Sequence, residues 1–226
     1  MINVIPISRG VFRDELTYFT ASPIKVGAIV MVPLRGRTIE ALVSGVREAD
    51  ELKLSVKKAV YPLKKIIRVK HEHFFTAPFM EAVRLTADYF AAPLGATIKS
   101  LVPSAILGAK LTMPPLTEPS LRNEAGGRFV LQEPDEELQA YYKSLIRAEF
   151  AKHGSIFLCL PTVADIKRVV TSLERGISEY TIALHHQLST RELIREWQRA
   201  LELNHPVLII ATPTFFSLNK SRKNCL

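Results

Sequence analysis

Through the first hundred residues apolar and polar side chains alternate in short runs: INVIPI, LTYFTA, AIVMVPL, TIEALVSGV and KKAVYPL. Gly, Pro and charged clusters separate them. Period-two alternation with turn residues at this spacing predicts a small antiparallel β-barrel or sheet, with Gly27, Gly36 and Gly45 at its turns or bulges. From Thr76 the period lengthens. Phe79, Met80, Val83, Leu85, Ala87 and Tyr89 fall mostly on one side of a helix, which Ala91, Ala92 and Pro93 stop, and a second short helix follows Gly95. Tyr89 and Phe90 read as helix residues packed against the barrel, and Phe19 reads as core.

Residues 112–128, TMPPLTEPSLRNEAGGR, concentrate Pro, Gly, Ser and charge without any apolar period and form the best domain boundary in the chain. Beyond them the texture becomes strand, helix, strand, helix: FVLQ, EELQAYYKSLIRAEFAKHG, SIFLCLP, TVADIKRVVTSLERG, EYTIALHH, STRELIREWQRALELN and HPVLIIATP. Uninterrupted apolar strands such as IFLCL and VLIIA, alternating with amphipathic helices, predict a parallel sheet covered on both faces. Thr162 with Asp165 and Ser189 with Glu192 have capping-box spacing at two of the helix entries, and Trp197 shares an apolar helix face with Leu193 and Leu201. The expected organisation is a barrel-like domain over residues 1–110, a linker over 111–128 and an open α/β domain over 129–226, an α+β multidomain chain.

An apolar content of 47% in 226 residues is ample for packed cores. The longest apolar runs fall far short of the ~20 residues of a membrane-spanning helix, and the N-terminus has no signal-peptide pattern. Two cysteines, Cys159 and Cys225, with no CxxC pair, suit a reducing cytoplasm and no zinc site. The His71/His73 and His185/His186 pairs lack companions at ligand spacing, so no metal and no cofactor is expected. A net charge of +8 favours an anionic partner. It is unevenly placed: residues 1–113 carry 16 basic and 9 acidic side chains, residues 114–226 carry 14 and 13. The N-terminal half is therefore the one expected to meet nucleic acid.

FVLQEPDEELQAYYKSL, residues 129–145, reads strand, turn, helix, the layout in which nucleotide-binding folds wrap a glycine-rich loop around phosphates. Here the turn holds Glu133, Pro134, Asp135, Glu136 and Glu137, with neither glycine nor lysine. Carboxylates suit a helix N-terminus but repel a triphosphate, by ~1 kcal/mol per charge pair even at water-like dielectric. This half is expected not to bind or hydrolyse ATP.

Two sets of residues together resemble one family, the replication-restart helicase PriA (primosomal protein N′). LTYFTASPIKVGAIVMVPLRGRTIEALVSGV, KKAVYPL and TADYFAAPLGATIKSLVPSAI look like its 3′ DNA-binding domain, with ADYFAAPLG, Ala87 to Gly95, the most specific stretch. IALHHQLSTRELIREW and VLIIATPTFFSL look like segments of its first helicase lobe beyond the ATP site. The resemblance implies a domain that holds the 3′ end of a nascent leading strand at a fork, followed by a partial, degenerate RecA-like lobe. The family's Walker A loop has its place at FVLQEPDEELQAYYKSL, where its glycines and lysine are missing. The chain reaches LNKSRKNCL before any acidic Walker B strand, cysteine-rich insertion or second lobe, and the stretch after Leu218 departs from the family's continuation. A truncated or frameshifted reading of a longer gene and a naturally short protein both fit.

The residues that the resemblance places at the DNA are Leu16, Thr17 and Tyr18 of the first hairpin, the Arg35-Gly36-Arg37 turn and Lys58; from the residues alone, Lys57 joins Lys58 in a basic stripe, and Tyr18 and Tyr61 are rings that stack on bases or pack in the core. The family tends to have an aromatic and an aspartate where this chain has Leu16 and Thr17, so a hydroxyl-reading acceptor is absent or is Thr17 itself. From the residues alone, two guanidiniums flanking a glycine suit a phosphate clamp and equally a solvated hairpin tip. Lys57, Lys58, Lys64, Lys65, Arg68 and Lys70 form a basic stripe or an ordinary exposed strand face. Thr212 and Thr214 either touch a DNA backbone or simply end a strand. The expected function is binding of branched or 3′-ended fork DNA in replication restart, without enzymatic turnover. Two alternatives are an ATP-dependent helicase completed by a C-terminal extension and a protein-interaction module for replication or primosome proteins.

Overall fold

The computed structural model describes residues 1–8, 15–47, 63–72, 74–112, 130–173 and 175–218. They fall into two compact units, Met1–Met113 and Pro114–Leu226.

Among the described residues the first unit is a curled six-stranded sheet with three helices. Its strands are β1 (Ile2–Pro6), β2 (Leu16–Phe19), β3 (Ile29–Leu34), β4 (Arg37–Val46), β5 (Lys64–Lys65) and β6 (Arg68–His71), in the spatial order β5-β2-β1-β4-β3-β6. All neighbours are antiparallel except β2 and β5. The two outermost strands belong to one short segment, which ties the sheet's edges together. The Ile66 amide donates to the Phe19 carbonyl at 3.1 Å, and the next amide, of Ile67, donates to Met31 on the opposite edge at 2.8 Å. The side chain of Ile66 is thereby carried into the core with Ile2, Val4, Tyr18, Val30, Val32 and Val43. Closure of this kind leaves few unpaired edge amides.

Helices α1 (Ala77–Tyr89), α2 (Leu94–Leu101) and α3 (Ser104–Gly108) follow. Thr76 caps α1, its side chain accepting from the Phe79 amide, and Val83 and Ala87, four residues apart, supply its buried face. Tyr89 and Phe90 lie off that face, 83% and 70% exposed, contrary to the packing expected of them. Ala91, with φ +48°, ends α1 in the left-handed region, and the Ala92 amide reaches back to the Ala87 carbonyl at 2.9 Å. Gly95 opens α2 so close to β1 that a β-carbon there would stand 1.8 Å from the Pro6 carbonyl oxygen. The close approach explains a glycine inside the ADYFAAPLG stretch.

Helix α3 is held from the sheet by two adjacent residues. Lys70 is paired with Glu40 at 2.6 Å and bonded to the Leu107 carbonyl, while Nε2 of His71 bonds the Ala109 carbonyl at 3.1 Å. Donors placed on the last carbonyls of a helix satisfy groups that have no partner within it. Lys70 is thus a structural clasp with a side chain 12% exposed, and leaves the basic stripe in which the sequence places it.

Among its described residues the second unit has three parallel strands, β7 (Ile156–Cys159), β8 (Thr181–Leu184) and β9 (Leu208–Ala211), with β9 in the middle. Helix α4 (Asp135–Ala151) precedes β7, α5 (Val163–Ser172) and the short α6 (Arg175–Ser178) join β7 to β8, and α7 (Thr190–Glu202) joins β8 to β9. Ile146, Ile166, Val169, Leu208 and Ile210 form the core on one face. Leu193, Trp197 and Phe215 are buried as well, with the last two rings 6.3 Å apart. Ser189 and Glu192 make the complete capping box, and Thr162 caps α5. The antiparallel, curled first domain and the parallel α/β second domain agree with the fold class expected from the pattern. The strand expected at FVLQ does not form in its described part: Val130 is fully exposed and residues 130–134 are irregular up to α4.

Candidate nucleic-acid interface

The chain crosses between β3 and β4 in a two-residue hairpin, with Leu34 and Arg37 as the last pair. Arg35 has φ +48° and Gly36 φ +76°, the signs that a type I′ turn requires at both central positions. Gly36 accepts this freely. Arg35 does not: a β-carbon in the left-handed region costs roughly 1–2 kcal/mol, so this turn trades stability for a cation at its tip. Both arginines are exposed, a β-carbon on Gly36 would touch nothing within 4 Å, and among the described residues neither guanidinium has a carboxylate partner. Two unpaired guanidiniums beside an open backbone are suited to a phosphate.

A second cationic group lies on the segment that closes the sheet. Lys64 and Lys65 pair with Tyr18 and Phe19, Arg68 pairs with Met31, and all three cations are exposed. Arg68 sits opposite Met31, three residues before Leu34, so about 10 Å of strand separates it from the turn. The hydroxyl of Tyr18, the register partner of Lys64, donates to the Pro33 carbonyl at 3.0 Å, one residue from the hairpin's end. The Arg35–Arg37 turn and the lysine pair are thus brought to the same part of the curled sheet.

Tyr18 itself is in the core, 4% exposed, and burial pushes its hydroxyl's pKa up. Its ring cannot stack on a base in this conformation. Phe19, the next residue, points the other way and is 41% exposed beside Lys65, the reverse of the core position expected of it. Period-two alternation fixes that adjacent side chains face opposite sides but not which one faces inward. Thr17 is half-buried at β1, where its hydroxyl donates to the Asn3 side-chain oxygen at 3.4 Å, and the Asn3 amide reaches the Glu15 carboxylate at 3.3 Å. Asn3 and Glu15 were not singled out in the sequence. Together with Thr17 they make a polar cluster with a carboxylate, one residue before Leu16, able to accept from a hydroxyl. Lys57, Lys58 and Tyr61 lie outside the described residues, as does the KKAVYP part of the expected fifth strand.

In the second unit the acidic turn is the first turn of α4, with Asp135, Glu136 and Glu137 at the positive end of the helix dipole and Asp135 paired with Arg168 at 3.3 Å. At the carboxyl ends of β8 and β9, Thr212 is buried with its amide 3.4 Å from the Leu184 carbonyl, while Thr214 is exposed. His185 follows β8 with a buried Nδ1, and burial together with Lys167 lowers its pKa.

Residues 4–103 match the family model of the PriA 3′DNA-binding domain (3′BD). The match runs from β1 through α2 and takes in the Arg35–Arg37 turn, the sheet-closing segment and the ADYFAAPLG stretch. No curated protein matches the chain. Among the described residues no helix is long and apolar enough to cross a membrane.

Proposed function

We propose that the first unit binds DNA that carries a free 3′ end, as at a fork in replication restart, and that its phosphate contacts are made by Arg35, Arg37, Lys64, Lys65 and Arg68. The observation that carries the reading is the strained hairpin: an arginine held at positive φ, flanking an open glycine, inside a segment that matches a 3′ DNA-binding domain. Phe19, exposed beside Lys65, offers a ring for a base to stack on. The Thr17, Asn3 and Glu15 cluster offers acceptors for a terminal hydroxyl, in place of the aspartate that the family tends to have.

In this reading the second unit is a partial, degenerate helicase-like lobe without its own ATP hydrolysis. What supports it is charge. The helix start that would face a triphosphate holds three carboxylates, and one of them is engaged with Arg168. A fluorescent ATP analogue with magnesium should leave the protein unbound; saturable binding would refute this part.

The test of the DNA surface is the salt dependence of binding. Each phosphate contact contributes about 0.7 to the slope of log affinity against log salt on single strands and about 0.9 on duplex. Replacing Arg35 and Arg37 by Ala should lower the slope by about 1.5 to 2 and weaken binding. An unchanged slope would remove the turn from the interface.

A further inference from the structure

The β3–β4 hairpin runs out beyond its neighbours. On one side the pairing of β3 with β6 spans Ile29 to Met31, and on the other the pairing of β4 with β1 reaches Ala41, with the Ile7 amide donating to the Glu40 carbonyl just past it. Among the described residues, Val32 to Ile39 are therefore paired as strands only with each other. Val32 and Ile39 rest on the core and anchor the base of this ribbon. A two-stranded ribbon is marginally stable by itself, and this one carries Arg35 and Arg37 at its tip.

One side chain reaches further out along it. Leu34 and Arg37 close the two-residue turn as a hydrogen-bonded pair, so Pro33, one residue back, turns its carbonyl away from β4. Met31 faces the same way and its carbonyl is taken by the Ile67 amide at 2.8 Å, but the pairing with β6 stops short of Pro33. Proline has no amide to present at that edge. Its carbonyl accepts instead from the Tyr18 hydroxyl at 3.0 Å. Tyr18 stands on β2, three strands along the sheet from β3, and its ring lies in the core with Val30, Val32 and Ile66. The same residue is in register with Lys64, and its neighbour Phe19 accepts from the Ile66 amide.

Granted the phosphate surface proposed above, on which this rests, we infer that Tyr18 is a positioning residue for DNA binding: its hydroxyl fixes the Arg35–Arg37 turn relative to Lys64 and Lys65 before DNA arrives. Tyr18 makes no contact with DNA itself, being 4% exposed. Any buried hydroxyl needs a partner, but here the acceptor lies on the ribbon that carries the cations. Without the oxygen, a phenylalanine ring keeps the core filled while the Pro33 carbonyl loses its donor and the ribbon its outermost tie. The arginines still reach phosphate, yet they are ordered only on binding, at an entropy cost worth about two- to tenfold in affinity for each side chain.

Fluorescence anisotropy of the full chain on a fork with a free 3′ end, across a salt series, separates positioning from contact. Tyr18→Phe should bind about three- to tenfold more weakly with its salt slope unchanged, because the same phosphates are met. In a chain that already carries Arg35→Ala and Arg37→Ala, the same replacement should change nothing, since no guanidinium is left to position. A role confined to stability would weaken both backgrounds alike. Thermal melting followed by circular dichroism checks that each variant is folded in the assay. Should Tyr18→Phe be unfolded, Tyr18→Met, whose flexible chain fills the same space, takes its place. Binding as tight as the wild type, or an equal loss in the two backgrounds, would overturn the inference while leaving the turn in the interface. If Arg35→Ala with Arg37→Ala alone leaves affinity and slope as they were, the phosphate surface itself falls, and the positioning role with it.

Discussion

Replacing Gly95 by Ala should destabilise the first unit even though alanine is the better helix former. The added β-carbon would stand 1.8 Å from the Pro6 carbonyl oxygen and 2.9 Å from its carbon, both backbone atoms of a strand in the sheet's interior. An ordinary contact needs about 3.4 Å, so α2 must retreat by about 1.5 Å or turn, and Ile98, buried on the same helix, loses part of its packing. Overpacking of this kind costs about 1–3 kcal/mol, or more where backbone must move, and the helix-propensity gain of about 1 kcal/mol offsets only part of it. A net loss of about 2 kcal/mol is expected, which for a unit of this size lowers its melting temperature by roughly 8 °C. Far-UV circular dichroism should show the shift while emission of Trp197, in the second unit, melts as in the wild type. A Gly95→Ala protein as stable as the wild type would mean that α2 does not approach β1 this closely.

Three more outcomes follow from local geometry. Ala91→Gly relieves a left-handed residue at the end of α1 and should stabilise the first unit by about 1 kcal/mol in chemical denaturation. Arg35→Asn turns the hairpin into the favoured Asn-Gly pair, so it should raise stability by about 0.5–1 kcal/mol while weakening DNA binding; a change of the two in the same direction would contradict the assignment of strain to function. Burial first, then the charge of Lys70, lowers the pKa of His71, against the raising effects of its Ala109 bond and of Glu40. The unfolded chain, with a histidine pKa near 6.5, then takes up the proton first, so this contribution to stability is complete above about pH 6.5 and is lost as the pH falls toward and through the lower folded value. His71→Gln, which keeps a donor for Ala109, should flatten the pH dependence of stability between about pH 7 and 5.

The two textures of the chain were legible because each follows from a period. Alternating INVIPI and TIEALVSGV became β1 and most of β4, and continuous IFLC and LIIA became β7 and β9. The closure of the first sheet was not legible, because its strands, KK and RVKH, are charged and short and are set by backbone bonds to Phe19 and Met31. The same blindness misassigned Lys70, whose burial depends on Glu40 and Leu107 far off in sequence. At the candidate site the Arg35-Gly36-Arg37 turn was visible as two cations round a glycine. The inward turn of Tyr18 and outward turn of Phe19 were not, since alternation alone leaves the choice open, and the Thr17, Asn3 and Glu15 cluster needs the β1–β2 register.

The central claim is that the first unit reads a free 3′ end. Fluorescence anisotropy across a salt series, with a forked DNA whose leading strand ends in a free 3′ hydroxyl and the same fork with that end blocked, tests it most directly. Tighter binding to the free end, lost on replacing Thr17, Asn3 and Glu15 by Ala, is the predicted result. Equal affinity for the two forks at every salt concentration would contradict it and leave only a basic surface for DNA.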